Sequence, residues 1–287
     1  MAESGHEDLL SIIVTGNAGG GATTGSDLGR LGTMPVTDPR LRFSARVRNY
    51  LRFRPGYPPA VLDLLRAECG LTPATPVADI ASGTGIFTRM LLDNGNLVFA
   101  VEPNQEMRQA AERLLASYPK FVSVNAAAEA TTLPDRSVEL VTAAQAAHWF
   151  DHVRARREFA RILKPGGWAV LLWNERSTDA TPFLRAYEQL LLRYGTDYQQ
   201  VRHEHTTDTI DAFFQPAPCR KKVFPMTQEF DYASLEGRLL SSSYTPLPGH
   251  PNHRPMLDGL RRIFAAHASE GKVTMPYHTR VYYGQLA

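Results

Sequence analysis

The chain has 287 residues, 43% apolar and 21% charged, with a formal net charge of +2. That supplies enough apolar material for one sizeable core, contains no apolar run near the roughly 20 residues of a membrane span, and lacks the long basic block with interleaved aromatics that marks a nucleic-acid surface. Two distant cysteines, Cys69 and Cys219, with no Cys or His at ligand spacing, argue against a disulfide framework or a metal centre and for a reducing, cytoplasmic setting.

In chain order, residues 1–38 read as a flexible Gly/Thr-rich tail or an upstream start. The run Leu9 to Val14 is followed by a glycine cluster at Gly16 to Gly21 but by no helix-forming sequence, and the acidic start (Glu3, Glu7, Asp8) fits poorly with a cleaved secretory signal. Residues 39–287 read as one domain. A helix is expected over Ala60 to Cys69, entering after Pro58-Pro59 and stopping at Gly70. Then come a strand at Val77 to Ile80, a helix at Phe87 to Asn94, a strand at Leu97 to Val101, a helix at Gln105 to Ala116 and a strand at Phe121 to Val124. Further strands at Val138 to Ala143 and Trp168 to Trp173 flank a helix from about Arg154 to Leu163, whose Arg154, Arg157 and Arg161 form a solvated face.

Beyond Asn174 the pattern predicts a helix over Pro182 to Tyr194, with Leu184, Tyr187, Leu190 and Leu191 on its core face. The polar, His- and Thr-rich segment Gly195 to Cys219 suits a mobile cover over a pocket. Strands at Lys221 to Phe230 and Arg280 to Gly284, with a helix from Met256 to Ala266, complete the sheet. Alternating strands and helices predict an α/β fold with a mostly parallel, doubly wound seven-stranded sheet, helices on both faces, and a C-terminal lid. Residues 40–175 make the ligand-binding core, and 176–287 the lid and sheet completion.

The most informative stretch is Pro76-Val77-Ala78-Asp79-Ile80-Ala81-Ser82-Gly83-Thr84-Gly85, with Glu102 closing the next apolar run. A glycine loop lets backbone amides approach a ligand, a helix start offers unpaired N–H donors, and a carboxylate ending the next strand can hold ribose hydroxyls. Thr88 stands where the last glycine of a dinucleotide fingerprint belongs, which weighs against an NAD- or flavin-dependent oxidoreductase, and Arg89 does not supply the Lys-Ser/Thr pair of a phosphate loop. Asp79, just before the loop, suits a ligand with an ammonium and a positive sulfur.

At these residues the chain resembles the class I S-adenosylmethionine-dependent methyltransferases. The resemblance extends to Val98 to Met107, Asn125 to Ala130 with Leu133-Pro134-Asp135, Ser137 to Phe150, and Leu163 to Gly167, five motifs in the family's order over about residues 40 to 175. Phe43-Ser44-Ala45-Arg46-Val47, Tyr50, Arg54 to Pro58 and Trp173-Asn174-Glu175-Arg176 narrow it to small-molecule methyltransferases related to the trans-aconitate and ubiquinone-type enzymes. Two positions depart from the pattern. Ala81 replaces the first glycine, which is tolerable with φ below zero, and Ala127 replaces an aspartate facing the adenine amino group, leaving that task to Glu129 and the backbone near Ala128.

The resemblance implies S-adenosylmethionine as cofactor, contacted by Tyr50, Arg54, Asp79, Ala81, Ser82, Gly83, Gly85, Glu102, Met107, Ala128, Glu129 and Gln145, with no metal. It also implies in-line methyl transfer to a small-molecule acceptor, with His148 as the candidate base and Trp149, Asn174, Arg176 and Tyr244 lining the acceptor pocket. Arg176 is placed to pair with an acidic acceptor. The alternative, drawn from Ala81 and Ala127, is a sensor or partner subunit that binds the cofactor without turnover. The acceptor, the atom methylated and the oligomeric state are not readable from the residues.

Overall fold

Pro58 and Pro59 pre-set the chain for a helical turn, and α1 (Ala60–Cys69) follows them directly and ends on Gly70 at φ 68°, a left-handed cap that glycine takes without a Cβ penalty. This computed structural model describes Asn49, residues 52–199 and residues 207–286, with the backbone alone for 207–209. The tail over 1–38, the motif Phe43 to Val47 and Tyr50 lie outside the described residues.

From α1 the chain runs through β1 (Val77–Ile80), α2 (Ile86–Asp93), β2 (Val98–Val101), α3 (Gln105–Leu114), β3 (Phe121–Val124) and β4 (Val138–Ala144). A short 3-10 turn (Ala147–Trp149) leads to α4 (His152–Ile162), β5 (Leu163–Arg176), α5 (Pro182–Tyr194), α6 (Thr207–Phe214), β6 (Arg220–Phe230), α7 (Tyr232–Leu240), α8 (His253–His267) and β7 (Val273–Gln285). The seven strands form one sheet in the order β3-β2-β1-β4-β5-β7-β6. β1 to β5 are parallel, and β7 is antiparallel to both β5 and β6. The expected Rossmann-like α/β architecture is therefore what the chain adopts.

Period-two alternation along the strands sorts their side chains to two buried faces. Ile80, Phe99, Val141, Leu171 and Trp173 pack with Phe159 of α4 and Phe213 and Phe214 of α6. Val77, Val98, Leu140, Val170 and Leu172 pack on the other face with Leu65 of α1, Leu91 of α2 and Leu115, which caps α3. Because the sheet order reverses between β1 and β4, their carboxyl ends open a crevice where such folds bind ligands.

A third cluster joins α5, α7 and α8 through Leu184, Leu191, Leu235, Leu239, Met256 and Leu260 to Met275 and Tyr277 of β7. This layer rests on the ends of β5, β6 and β7 and overhangs the crevice. Three sequence expectations change here. β5 begins at Leu163, because Val138 pairs with Leu163 while Leu140 pairs with Trp168, so the turn residues between bulge from the ladder with Gly166 at φ 79°. β7 starts at Val273 and not Arg280, since Val273 to Thr279 all pair with β6 and Tyr277 to Thr279 with β5 as well. Within the expected cover, α6 is docked: Ile210, Phe213 and Phe214 are buried, and Arg156 donates to Phe213 O at 3.0 Å. No helix of the described residues is long and apolar enough to cross a membrane.

Candidate active site

β1 is buried along its whole length, so the chain leaving it at Ile80 must turn sharply before α2 can pack back on the sheet. Ala81 does so at φ 52°, Gly83 at φ 60° and Gly85 at φ 83°. Gly85 is fixed in identity twice over, since a Cβ there would come within 2.6 Å of Leu115 Cδ1. Gly83 has nothing within 4 Å of where its Cβ would stand, leaving open space above the loop. The expectation that Ala81 keeps φ below zero does not hold. A non-glycine residue in the left-handed region is strained by roughly 1–2 kcal/mol.

The loop is held from below by Glu102, just past β2. Its Oε2 accepts from Gly83 N at 2.8 Å and its Oε1 from Asn104 N at 2.7 Å. Burial raises its pKa, opposed by those two amides and by Arg108. A carboxylate has about four lone-pair sites, so two amides leave it capacity for a ligand's hydroxyls.

Asp79 stands differently from its expected role. It is fully buried behind the loop, accepting from Thr88 Oγ1 at 2.6 Å and Thr142 Oγ1 at 2.8 Å, and so ties α2 and β4 to β1. Burial pushes its carboxyl up to about 6, the threonine hydrogen bonds pulling the other way. With both oxygens engaged and no exposed surface, it offers nothing to an ammonium in the crevice.

A cavity of about 600 Å³ opens between this loop and the third layer, within the range of small-molecule sites. Its near wall is Ala81, Ser82, Gly83 and Thr84, with Arg54, Tyr57 and Phe87 beside them, and Gln145 at the end of β4. Tyr57 meets Phe87 edge-on at 5.1 Å. Ser82 Oγ and Thr84 Oγ1 are buried without any hydrogen-bond partner. Gln145, at φ 61°, donates from Nε2 to Asn174 O at 3.1 Å.

The far wall comes from the third layer and the ends of β5 and β7: Asn174, Arg176, Tyr198, Arg238, Tyr244 and Tyr277, with His278 and Arg280. Asn174 is a buckle. It donates to Gly56 O at 2.8 Å and accepts from Thr279 Oγ1 at 2.6 Å, fixing the segment before α1 to the β5–β7 pair. Arg176 pairs with Glu188 at 2.5 Å, donates to Tyr198 OH at 3.1 Å and stacks on Tyr187. Its charge is thus already matched inside the protein, contrary to its expected pairing with an acidic acceptor. Tyr244 stacks edge-on against Tyr198 at 4.7 Å. Arg280 is ion-paired with Glu175.

Of the residues singled out in the sequence, Arg54, Ala81, Ser82, Gly83, Gln145, Asn174, Arg176 and Tyr244 meet on this cavity. Met107 and Ala128 are buried beyond Glu102, and Glu129 caps the loop before α4 by accepting from Asp151 N at 2.9 Å. His148 and Trp149 lie off the cavity wall. The His148 ring packs on Trp149 at 4.7 Å and its Nδ1 accepts from Trp173 Nε1 at 3.4 Å, because the 3-10 turn carries it toward the β5 face.

Tyr57, Tyr198, Arg238, Tyr277, His278 and Arg280 line the cavity without having been singled out for it. Arg238 carried one readable signal, a cation set between Leu235 and Leu239 in an otherwise apolar helical period. Both cysteines are free and partly buried, and burial pushes their thiols up to about 12 at Cys69 and about 11 at Cys219, far from nucleophilic activation.

Residues 78–171 match the methyltransferase domain family. An uncharacterized methyltransferase of Mycobacterium tuberculosis strain H37Rv is 32% identical over 248 residues, covering 84% of this chain and 94% of that protein. A protein from Schizosaccharomyces pombe, described as uncharacterized and methyltransferase-like, is 32% identical over 54% of this chain and 59% of its own. Among solved structures, one assigned as a type II methyltransferase of Anaeromyxobacter dehalogenans superposes with a TM-score of 0.61 at 22% identity, over 82% of this chain and 98% of that one. Another, assigned to an antibiotic biosynthesis pathway of Anabaena variabilis, gives a TM-score of 0.58 at 22% identity, over 79% and 97%. These two carry the likeness of fold.

Proposed function

The chain belongs to the class I S-adenosylmethionine-dependent methyltransferase family, and from that premise we propose that it transfers the cofactor's methyl group in line to a small-molecule acceptor held between the β1–α2 loop and α7. The observation that carries this reading is the pair of buried hydroxyls, Ser82 Oγ and Thr84 Oγ1, left without partners on the wall of a cavity of about 600 Å³. Buried polar groups are almost always hydrogen-bonded, so two orphans on a glycine loop point to a ligand that completes them.

The residues present fit the cofactor. Ser82, Gly83 and Thr84 would hold its amino-acid end, Glu102 would take the ribose hydroxyls with its remaining lone pairs, and Met107, Ala128 and Glu129 would face the adenine. Arg54, whose Nη2 is anchored on Ser241 O at 3.0 Å, would lie near its carboxylate. When bound, S-adenosylmethionine supplies an electrophilic methyl on a positive sulfur.

The protein's own contribution is position and exclusion of water. Holding two reactants in line is worth up to roughly 7–11 kcal/mol. Gln145 is fixed by its bond to Asn174 O, and Tyr57, Tyr198, Tyr244 and Tyr277 wall the cavity with rings. His148 takes no proton step in this reading, since it faces Trp173 and not the cavity. An acceptor that must lose a proton finds the imidazole of His278 at the rim.

The test is turnover. Labelled S-adenosylmethionine is incubated with the purified chain and a panel of small acceptors, and S-adenosylhomocysteine release is followed together with the labelled product. Release dependent on one acceptor class supports the enzyme. Tight cofactor binding with no release across the panel favours the sensor.

A further inference from the structure

Two arginines of the cavity wall find a counter-charge within the protein. Arg176 is matched by Glu188 and Arg280 by Glu175. Arg238, buried on the same cavity, has no such partner. It lies in the last turn of α7, 8% exposed, and lines the far wall. Nη1 donates to Ser242 Oγ at 3.0 Å and more weakly to Ser241 Oγ at 3.5 Å, while Nε is buried with no partner at all. It makes no ion pair, and the side chains set around it are the phenols of Tyr277, Tyr244 and Tyr187.

A buried guanidinium without a counter-charge is destabilising, and proteins retain one where a partner supplies the missing anion. We propose that Arg238 is the anchor for a carboxylate carried by the acceptor, received by its unpartnered Nε edge and flanked by Tyr244 and Tyr277. The inference rests on the methyltransferase reading above and adds to it the acceptor's chemical class. A single planar guanidinium edge matches a planar carboxylate in two parallel hydrogen bonds, and the surrounding phenols add rings to pack against.

Two carboxylates compete for that edge: the acceptor's and that of the cofactor's own amino-acid end. Position favours the acceptor. The match to the shared methyltransferase domain ends at residue 171, whereas Arg238, Tyr244 and Tyr277 all belong to the layer beyond it and face the loop from across the cavity. Function varies in what is added around a common scaffold.

The experiment uses the full chain saturated with S-adenosylhomocysteine. Acetate and benzoate are titrated in by calorimetry against their neutral amides, acetamide and benzamide, in the native chain and in Arg238→Met and Arg238→Lys. The expected result is at least a roughly tenfold preference for the acid in one pair, reduced to within about twofold in Arg238→Met and partly kept in Arg238→Lys, with S-adenosylhomocysteine affinity within about threefold of native in both.

Arg238→Lys keeps the charge and serves as the folded control should Arg238→Met unfold. Equal binding of acid and amide to the loaded native chain overturns the inference while leaving the methyltransferase reading intact. A loss of about tenfold or more in S-adenosylhomocysteine affinity in Arg238→Met also overturns it, by assigning the guanidinium to the cofactor. No S-adenosylhomocysteine binding by the native chain removes the reading beneath it.

Discussion

Glu102 and Gly83 are joined by a hydrogen bond of 2.8 Å from the glycine N–H to the carboxylate Oε2. This makes the end of β2 and the loop after β1 a single unit. The carboxylate acts twice in this account, shaping the loop from beneath while keeping lone pairs for a ribose. Exchanging it for the isosteric amide puts an NH2 against one of two backbone N–H groups. Glu102→Gln is therefore expected to weaken S-adenosylhomocysteine binding by about 10- to 100-fold, as for a lost charge-assisted hydrogen bond. Calorimetry on variants with unchanged circular dichroism checks this.

Asp79 gives a pH dependence of the less common sign for an aspartate. Its folded value, about 6, lies above the ordinary 3.8. Between those two values the folded state binds more protons than the unfolded one, so stability falls as pH rises and levels off above the folded value. The contribution present below about pH 4 and lost by about pH 6 is on the order of 2–3 kcal/mol. Asp79→Asn should flatten the urea-unfolding profile across that window. An unchanged slope in the variant would assign the effect to another group.

Ala81 at φ 52° is a strained position. Glycine there relieves the left-handed penalty but adds freedom to the unfolded chain, worth about 0.4–1 kcal/mol. The balance predicts that Ala81→Gly raises unfolding free energy by roughly 0.5–1 kcal/mol, read from denaturant midpoints. Destabilisation by a similar amount would mean that the alanine methyl makes a contact that matters more than its backbone.

Gly237 sits in the interior of α7, where a Cβ would come within 2.1 Å of the Phe53 ring. The ring packs into the helix at that gap and so fixes the segment carrying Arg54 and Tyr57 to the cavity. Gly237→Ala should therefore destabilise by about 1–3 kcal/mol through overpacking, despite better helix propensity. It should also lower cofactor affinity by displacing the segment. A rise in Tm would show the segment to be indifferent to this contact.

Much of the fold was legible because punctuation and period agreed. Pro58-Pro59 and Gly70 bracket α1, and Val77–Ile80, Phe121–Val124 and Pro182–Tyr194 fall where the apolar patterns put them. α7 is not legible in its segment for a physical reason: the glycine that admits Phe53 also lowers the helix signal there.

The site was legible in its loop and less so in its side-chain directions. β1 is buried on both faces, and such strands carry no alternation. Nothing in the spacing therefore shows that Asp79 points back at Thr88 and Thr142 and not into the crevice. His148 is a similar case, since a turn of three residues decides whether its ring meets the cavity or Trp173. The pairing of Arg176 with Glu188 and the setting of Arg238 depend on how the third layer docks, which no local pattern encodes.

Calorimetric titration of the purified full chain with S-adenosylhomocysteine, beside Glu102→Ala, tests the central claim most directly. The account predicts one site per chain on the native protein and a loss of at least about tenfold in the variant. A folded native chain that takes up no S-adenosylhomocysteine would contradict it.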